Sequence, residues 1–209
     1  MPIASRMPRA RRRHDLHGNA PDESPVALLI IDLINAFDFD RAGEMLPRAL
    51  AAAKAVAKLK RRARRAGVPV VYVNDNFGRW RSDFHQILAH CLKSPGREIA
   101  RLLAPGRNDY LVLKPKHSGF QFTTLELLLQ HLGASTLVLT GVAGNFCVLF
   151  TAHDAYMRDY RLVVPSDCIA SLTEDDDRQA LAHMGEVTKA DVRPSAEIDF
   201  AKLIRRTNR

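Results

Sequence analysis

The chain is poor in the features that settle a protein's class at once. It has three cysteines, at 91, 147 and 168, too far apart for a disulfide framework or a zinc-type Cys-x-x-Cys pair. Such sparse cysteine usage suits a reducing cytoplasm. No apolar run approaches the ~18 residues of a membrane span, so no membrane partner is expected. The N-terminal stretch has no apolar core of the kind that marks a secretory leader. No internal repeat is visible, and no aromatic-interleaved basic motif argues for reading nucleic acid. What remains is ordinary globular material, 46% hydrophobic and 26% charged over 209 residues, enough for one full domain.

The net charge of +8 is unevenly placed. Arg6, Arg9, Arg11, Arg12 and Arg13 crowd the start, and Lys202, Arg205, Arg206 and Arg209 close the chain. Such runs bind phosphate backbones without sequence preference, but they are more often solvated ends. We read residues 1–24 as an Arg-rich irregular arm and residues 25–209 as the folded domain. Nucleic acid is not the expected partner.

Within the domain, short apolar runs alternate with helical patterns. Val26 to Asp32 (VALLIID) is a continuous apolar run ending in a carboxylate, the pattern of a parallel strand buried on both faces. Arg48 to Ala66 has helical spacing and is stopped by Gly67-Val68-Pro69. Further strands are predicted over Val70–Val73, Tyr110–Leu113, Leu137–Leu139, Arg161–Val164 and Val187–Val192. Helices fall between them, over Phe84–Leu92, Ile99–Leu103, Thr123–Leu132 and Asp175–Met184, with Ala196–Ile204 at the end. Alternation of this kind implies an α/β fold with a parallel sheet and helices on both faces.

The stretch TLVLTGVAGNFCVLFTAHD, from Thr136 to Asp154, organises the rest. A buried strand runs through a glycine-bearing turn into a helix whose first turn holds Cys147. Unpaired helix N–H groups and the positive dipole end there favour a thiolate. Asp32 and Lys114 also stand at strand C-terminal ends, and a parallel sheet brings those ends to one edge. Each residue has a plain structural reading: a turn former, a solvated charge, a buried thiol. Together an acid, a base and a nucleophile on one edge form the pattern of covalent catalysis.

The local motifs are more specific. LLIIDLINAF from Leu28, LVLKPKHSGF from Leu111 and GVAGNFCV from Gly141 occur in order. They resemble the isochorismatase-like cysteine hydrolases over roughly Pro25 to Phe200. The resemblance implies a three-layer α/β/α fold around a six-stranded parallel sheet, and a triad of Asp32, Lys114 and Cys147. Asp32 takes the thiol proton in that scheme, and Lys114 holds the thiolate and orients the acid. It also implies a cis peptide at Val142–Ala143, with the backbone N–H groups of Ala143 and Cys147 facing an oxyanion, and a homo-oligomer, dimer or tetramer.

The departures from the family pattern are informative. Members of the nicotinamidase type hold a metal through an Asp-x-His and a further His near the second strand. Here that segment reads NDNFGRW, with Asp75 but no histidine, and His85 and His90 lie beyond it. No metal and no cofactor are therefore expected. Family members that cleave a vinyl ether generally lack cysteine at the nucleophile position, which Cys147 fills here. His117 stands where an aromatic residue is frequent. Asn35 and Phe37 follow the acid directly. In the loop FGRWRSD, Arg79 or Arg81 would clamp a substrate carboxylate and Trp80 would wall the pocket.

The expected function is hydrolysis of a small amide, ureido or carbamoyl compound through a thioester. Two rivals stand beside it: an ether hydrolase using Asp32 without covalent catalysis, and a non-catalytic relative that binds through its basic arm.

Overall fold

The structure is a computed structural model that describes residues 20, 22–78 and 80–207. Six strands alternate with helices: β1 (Val26–Ile31), β2 (Val70–Asp75), β3 (Tyr110–Lys114), β4 (Thr136–Val142), β5 (Arg161–Val163) and β6 (Ile169–Ala170). The helices are α1 (Ala42–Arg65), α2 (Phe84–Cys91), α3 (Arg97–Leu102), α4 (Leu125–Leu132), α5 (Leu149–Tyr156), α6 (Glu174–Val187) and α7 (Phe200–Thr207). Every strand pairing is parallel, in the order β3-β2-β1-β4-β5, with β6 also on β4.

β1 shows why an unbroken apolar run was needed. All six of its residues are buried. Val26, Leu28 and Ile30 face a core shared with α1, α2, α3 and α7. Ala27, Leu29 and Ile31 face the opposite core, shared with α4, α5 and α6. Side chains alternate across a strand, so a central parallel strand covered on both faces needs an apolar residue at every position. The result is three layers, helix, sheet and helix.

Three sequence expectations shift, and the smallest is the terminal helix, which runs over Phe200–Thr207 rather than Ala196–Ile204. The sixth strand is Ile169–Ala170, not Val187–Val192. α6 runs on to Val187, Lys189 then adopts a left-handed φ of 56°, and only Asp191 bridges to Val163. Pro194, which has no N–H to offer a ladder, follows at once. The other shift concerns α1, which begins at Ala42 rather than Arg48 and carries Pro47 inside its second turn. A proline there removes one intrahelical bond, yet Ala49, Ala52, Ala53 and Val56 bury the same face and hold the helix on the sheet.

Of the arm expected over residues 1–24, positions 20 and 22–24 are described. The Ser24 N–H donates to Leu132 O at 2.8 Å, and the Tyr110 hydroxyl donates to Asp22 at 2.8 Å. Among the described residues no helix is long and apolar enough to cross a membrane.

One glycine sets how closely the sheet closes at its C-terminal edge. Gly141 is paired with Ile31 and has φ +135°, and a Cβ there would lie 2.0 Å from Ile31 O. Gly141→Ala should therefore destabilise the protein by about 3 kcal/mol or more, from backbone strain and clash together. A urea-unfolding midpoint equal to that of the parent would contradict this account of the β1–β4 contact.

Candidate active site

Four neighbouring strands deliver one reactive group each to the same edge. Lys114 ends β3, Asp75 ends β2, Asp32 follows β1, and Cys147 follows β4. The parallel register sets Asp75 beside Lys114 and Ile31 beside Gly141, so the side chains converge without any loop having to fold back.

Lys114 is the centre of the cluster. Its side chain is wholly buried, and its Nζ lies 2.8 Å from Asp32 Oδ2 and 3.5 Å from Asp75 Oδ2. It donates to Lys116 O at 3.1 Å and reaches Cys147 Sγ at 3.6 Å. The ammonium thus has an acceptor for each of its three protons. Asp32 is held from its other side by the Asp75 N–H, which donates to Oδ1 at 2.6 Å. Asp32 itself adopts a left-handed φ of 51°, which L-residues with a Cβ rarely take. That turn aims its carboxylate sideways toward Lys114 instead of along the strand.

The thiol sits in a widened turn. The Val142–Ala143 peptide is cis, and residues Gly144–Val148 form a π-helical turn that runs into α5. The Val148 N–H reaches back to Ala143 O at 3.1 Å. Gly144 is needed here because a Cβ would meet Ile169 Cδ1 at 2.8 Å and Ser171 Oγ at 3.0 Å. Behind the turn, the Asn145 N–H donates to Ser171 Oγ at 3.0 Å. Arg48 of α1 braces this wall, pairing with Asp177 at 2.5 Å and donating to Ser171 O at 3.3 Å. On the far side the Thr151 hydroxyl donates to Cys147 O at 2.7 Å and accepts from the Gly119 N–H at 3.0 Å, tying α5 to the loop after β3.

The protonation states differ from the sequence expectation. Burial, and after it the Asp32 charge, pushes the Cys147 thiol up to about 12, and the opposing pull of Lys114 is smaller. At rest Cys147 is a thiol. The helix dipole and the ammonium do not make it a standing thiolate, because the site is dry and a carboxylate shares it. Burial also raises Asp32, against Lys114. Burial acts to lower Lys114, but the charge and hydrogen bond of Asp32, with the charge of Asp75, act to raise it and the ammonium is retained.

The remaining sequence candidates are spread more widely. Asn35 turns its side-chain oxygen to the Phe37 N–H at 2.8 Å, and Phe37 is buried in the core beside Phe39. Trp80 is 84% exposed, and Arg79 lies outside the described residues. His117 is exposed and packs on Phe146 and Phe150, with ring centroids 4.3 and 5.9 Å away. A cavity of about 150 Å³ between the connections after β1 and β2 and α2 is lined by Ala36, Asp38, Phe77, Ile87 and His90, and by none of Asp32, Lys114 and Cys147. His90 faces Asp38 at 3.7 Å. Among the described residues no three His, Cys, Asp or Glu side chains gather as metal ligands. Asp75 was visible in the sequence only as a lone remnant of a metal motif. Its position at a strand end, like that of Asp32, was the signal for its place beside Lys114.

A parallel α/β sheet with a thiol, an ammonium and two carboxylates on its C-terminal edge defines a hydrolase built on strand-end groups. The chain belongs to the isochorismatase family, whose Isochorismatase domain matches residues 26–193. It is 40% identical over 172 residues to the uncharacterized isochorismatase family protein YaaI of Bacillus subtilis, covering 82% of this chain and 95% of that one. It is 31% identical over 182 residues to the ureidoacrylate amidohydrolase RutB of Methylorubrum extorquens, covering 70% of each. Among solved structures it resembles N-carbamoylsarcosine amidase of Thermoplasma acidophilum, with a TM-score of 0.67 and 31% identity over 83% of this chain and 98% of that one. The protein is an isochorismatase-family hydrolase.

Two outcomes follow from the charge arrangement. Lys114→Met leaves buried carboxylates without a counterion and should cost about 3–5 kcal/mol at neutral pH. Asp32 would then hold its proton still more tightly in the folded state than in the unfolded one. The variant should regain stability as pH falls and lose it as pH rises through the raised folded value. Urea midpoints at pH 5 and pH 8 test this, and a gap to the parent as wide at pH 5 as at pH 8 would refute it. Asp32→Asn removes the charge that raises the thiol and leaves Lys114 with Asp75 as its remaining carboxylate partner. The pH profile of iodoacetamide alkylation at Cys147, read by mass spectrometry, should therefore shift to lower pH, and a shift upward would overturn this ordering of effects.

Proposed function

We propose that the protein hydrolyses the C–N bond of a small amide, ureido or carbamoyl compound through a thioester on Cys147. One observation carries this reading: Lys114 Nζ lies within 2.8 Å of the Asp32 carboxylate and 3.6 Å of the Cys147 sulfur. A base, a cation and a nucleophile are thereby in mutual reach in a dry site. The similarity to an amidohydrolase and an amidase supports the choice of bond.

The reading implies the following steps. Asp32 takes the Cys147 proton as the sulfur attacks the carbonyl carbon, so a thiolate exists only while the C–S bond forms. A resting thiol suits this order, and burial raises the base against the pull of Lys114, which strengthens it for the transfer. The oxygen that gains charge would be met by the backbone N–H groups of Ala143 and Cys147. Collapse breaks the C–N bond, and the proton on Asp32 leaves with the amine. Water then gives a proton to Asp32 and attacks the thioester carbon. The C–S bond breaks, and the sulfur regains the proton from Asp32. Lys114 keeps its charge throughout and holds Asp32 in place. Arg81, in the loop after β2, is the residue we assign to a carboxylate on the substrate.

Ammonia release from a panel of primary amides and ureido acids tests the reading. Turnover should fall at least about a thousandfold in Cys147→Ala and about a hundredfold or more in Asp32→Asn. Acid-quenched enzyme should carry the acyl mass on the peptide containing Cys147. Retained ammonia release in Cys147→Ala would overturn the thioester route.

A further inference from the structure

The helix that continues the nucleophile turn carries a pair of groups that the hydrolytic steps leave unused. His153 of α5 and His183 of α6 meet with their Nε2 atoms 3.0 Å apart and their ring centroids 5.0 Å apart. Two imidazoles at that separation cannot both carry a proton on the facing nitrogens, so at least one presents a lone pair to the gap. Something is shared between them, either one proton or one cation.

The dimensions fit a cation. Two nitrogens each about 2.0–2.1 Å from one ion, and at a right angle to each other, stand about 2.9–3.0 Å apart. That right-angle edge is the ligand arrangement of octahedral or tetragonal centres, and imidazole nitrogen suits Zn, Ni and Cu. His153 is half-buried and His183 exposed, which leaves the outer coordination positions open to water. Among the described residues no third His, Cys, Asp or Glu completes a cluster. The ion would therefore be exchangeable, unlike a closed four-ligand structural site.

We propose that His153 and His183 form a two-imidazole site for a first-row transition-metal cation, with Ni²⁺ as its simplest occupant. Such an ion clips α5 to α6. The two helices support opposite sides of the Cys147 turn: α5 continues it, and the first turn of α6 holds Asp177, which braces Arg48 behind it. The site is separate from the reacting groups, so its test is independent of the hydrolytic reading.

Isothermal titration of Zn²⁺ and of Ni²⁺ into the full, untagged chain carrying Cys147→Ser reads the site without thiol competition. His153→Ala and His183→Ala are compared in the same background, where every other histidine is common to all three proteins. The expected result is one fewer bound ion in each variant, with a Ni²⁺-induced rise in thermal midpoint that the parent shows and both variants lose. If both variants bind as many ions as the parent, with affinities within threefold, the pair is only a hydrogen bond and the proposal fails. If only one variant loses an ion, that residue ligates with some group other than its neighbour, and the proposal fails as well.

Discussion

The buried ammonium of Lys114 is the constraint on which the rest of the site depends. A cation taken wholly out of water is tolerable only with close counter-charges and a full set of acceptors, and this one touches Asp32, Asp75, Lys116 O and the Cys147 sulfur. Those partners arrive on separate strands, so satisfying one lysine fixes the relative positions of four. The left-handed turn at Asp32 and the close β1–β4 contact at Gly141 are what this convergence requires of the backbone. Both are local departures from regular strand geometry, and both lie within a few residues of the reacting atoms.

The same dryness that makes Lys114 demanding sets the chemistry. In water a thiol beside an ammonium would shed its proton readily. Here desolvation and the Asp32 charge prevail and hold the Cys147 thiol above its usual range. A neutral nucleophile is less exposed to adventitious oxidation, since thiolate character governs that reactivity. On the route we propose, Asp32 both accepts the thiol proton and returns it.

Much of this was legible before any coordinates. The run VALLIID has one reading, because only a doubly covered strand needs six apolar residues in a row, and the strand-end positions of Asp32 and Lys114 followed from counting. The sixth strand was missed because two residues, Ile169 and Ala170, are too few to show a period, and Val187–Val192 imitates a strand while α6 and a turn at Lys189 occupy part of it. The start of α1 was hidden by Pro47, whose local preference the packing of the alanine face overrides. The resting state of Cys147 was not readable at all, since spacing reports neighbours along the chain and not how much water the fold excludes. The Arg48–Asp177–Ser171 brace and the His153–His183 pair join residues from separate elements, and no motif links them.

The division of labour between strands and connections has a wider implication. The groups assigned to bond-making stand on or beside strand ends, whose positions the sheet dictates. Asp38, Phe77 and His90, which line the nearby cavity, belong to the connections that follow β1 and β2 and to the outer face of α2. Lengthening a surface connection is thermodynamically mild, about 0.6 kcal/mol for each doubling, whereas moving a strand end would break the ammonium's shell. A lineage built on this scaffold is therefore free to exchange one substrate for another by rewriting its connections, while the reacting groups are inherited intact. Divergence among its members should concentrate in those rim segments, and a graft of the rim from one member onto another would carry the preference with it.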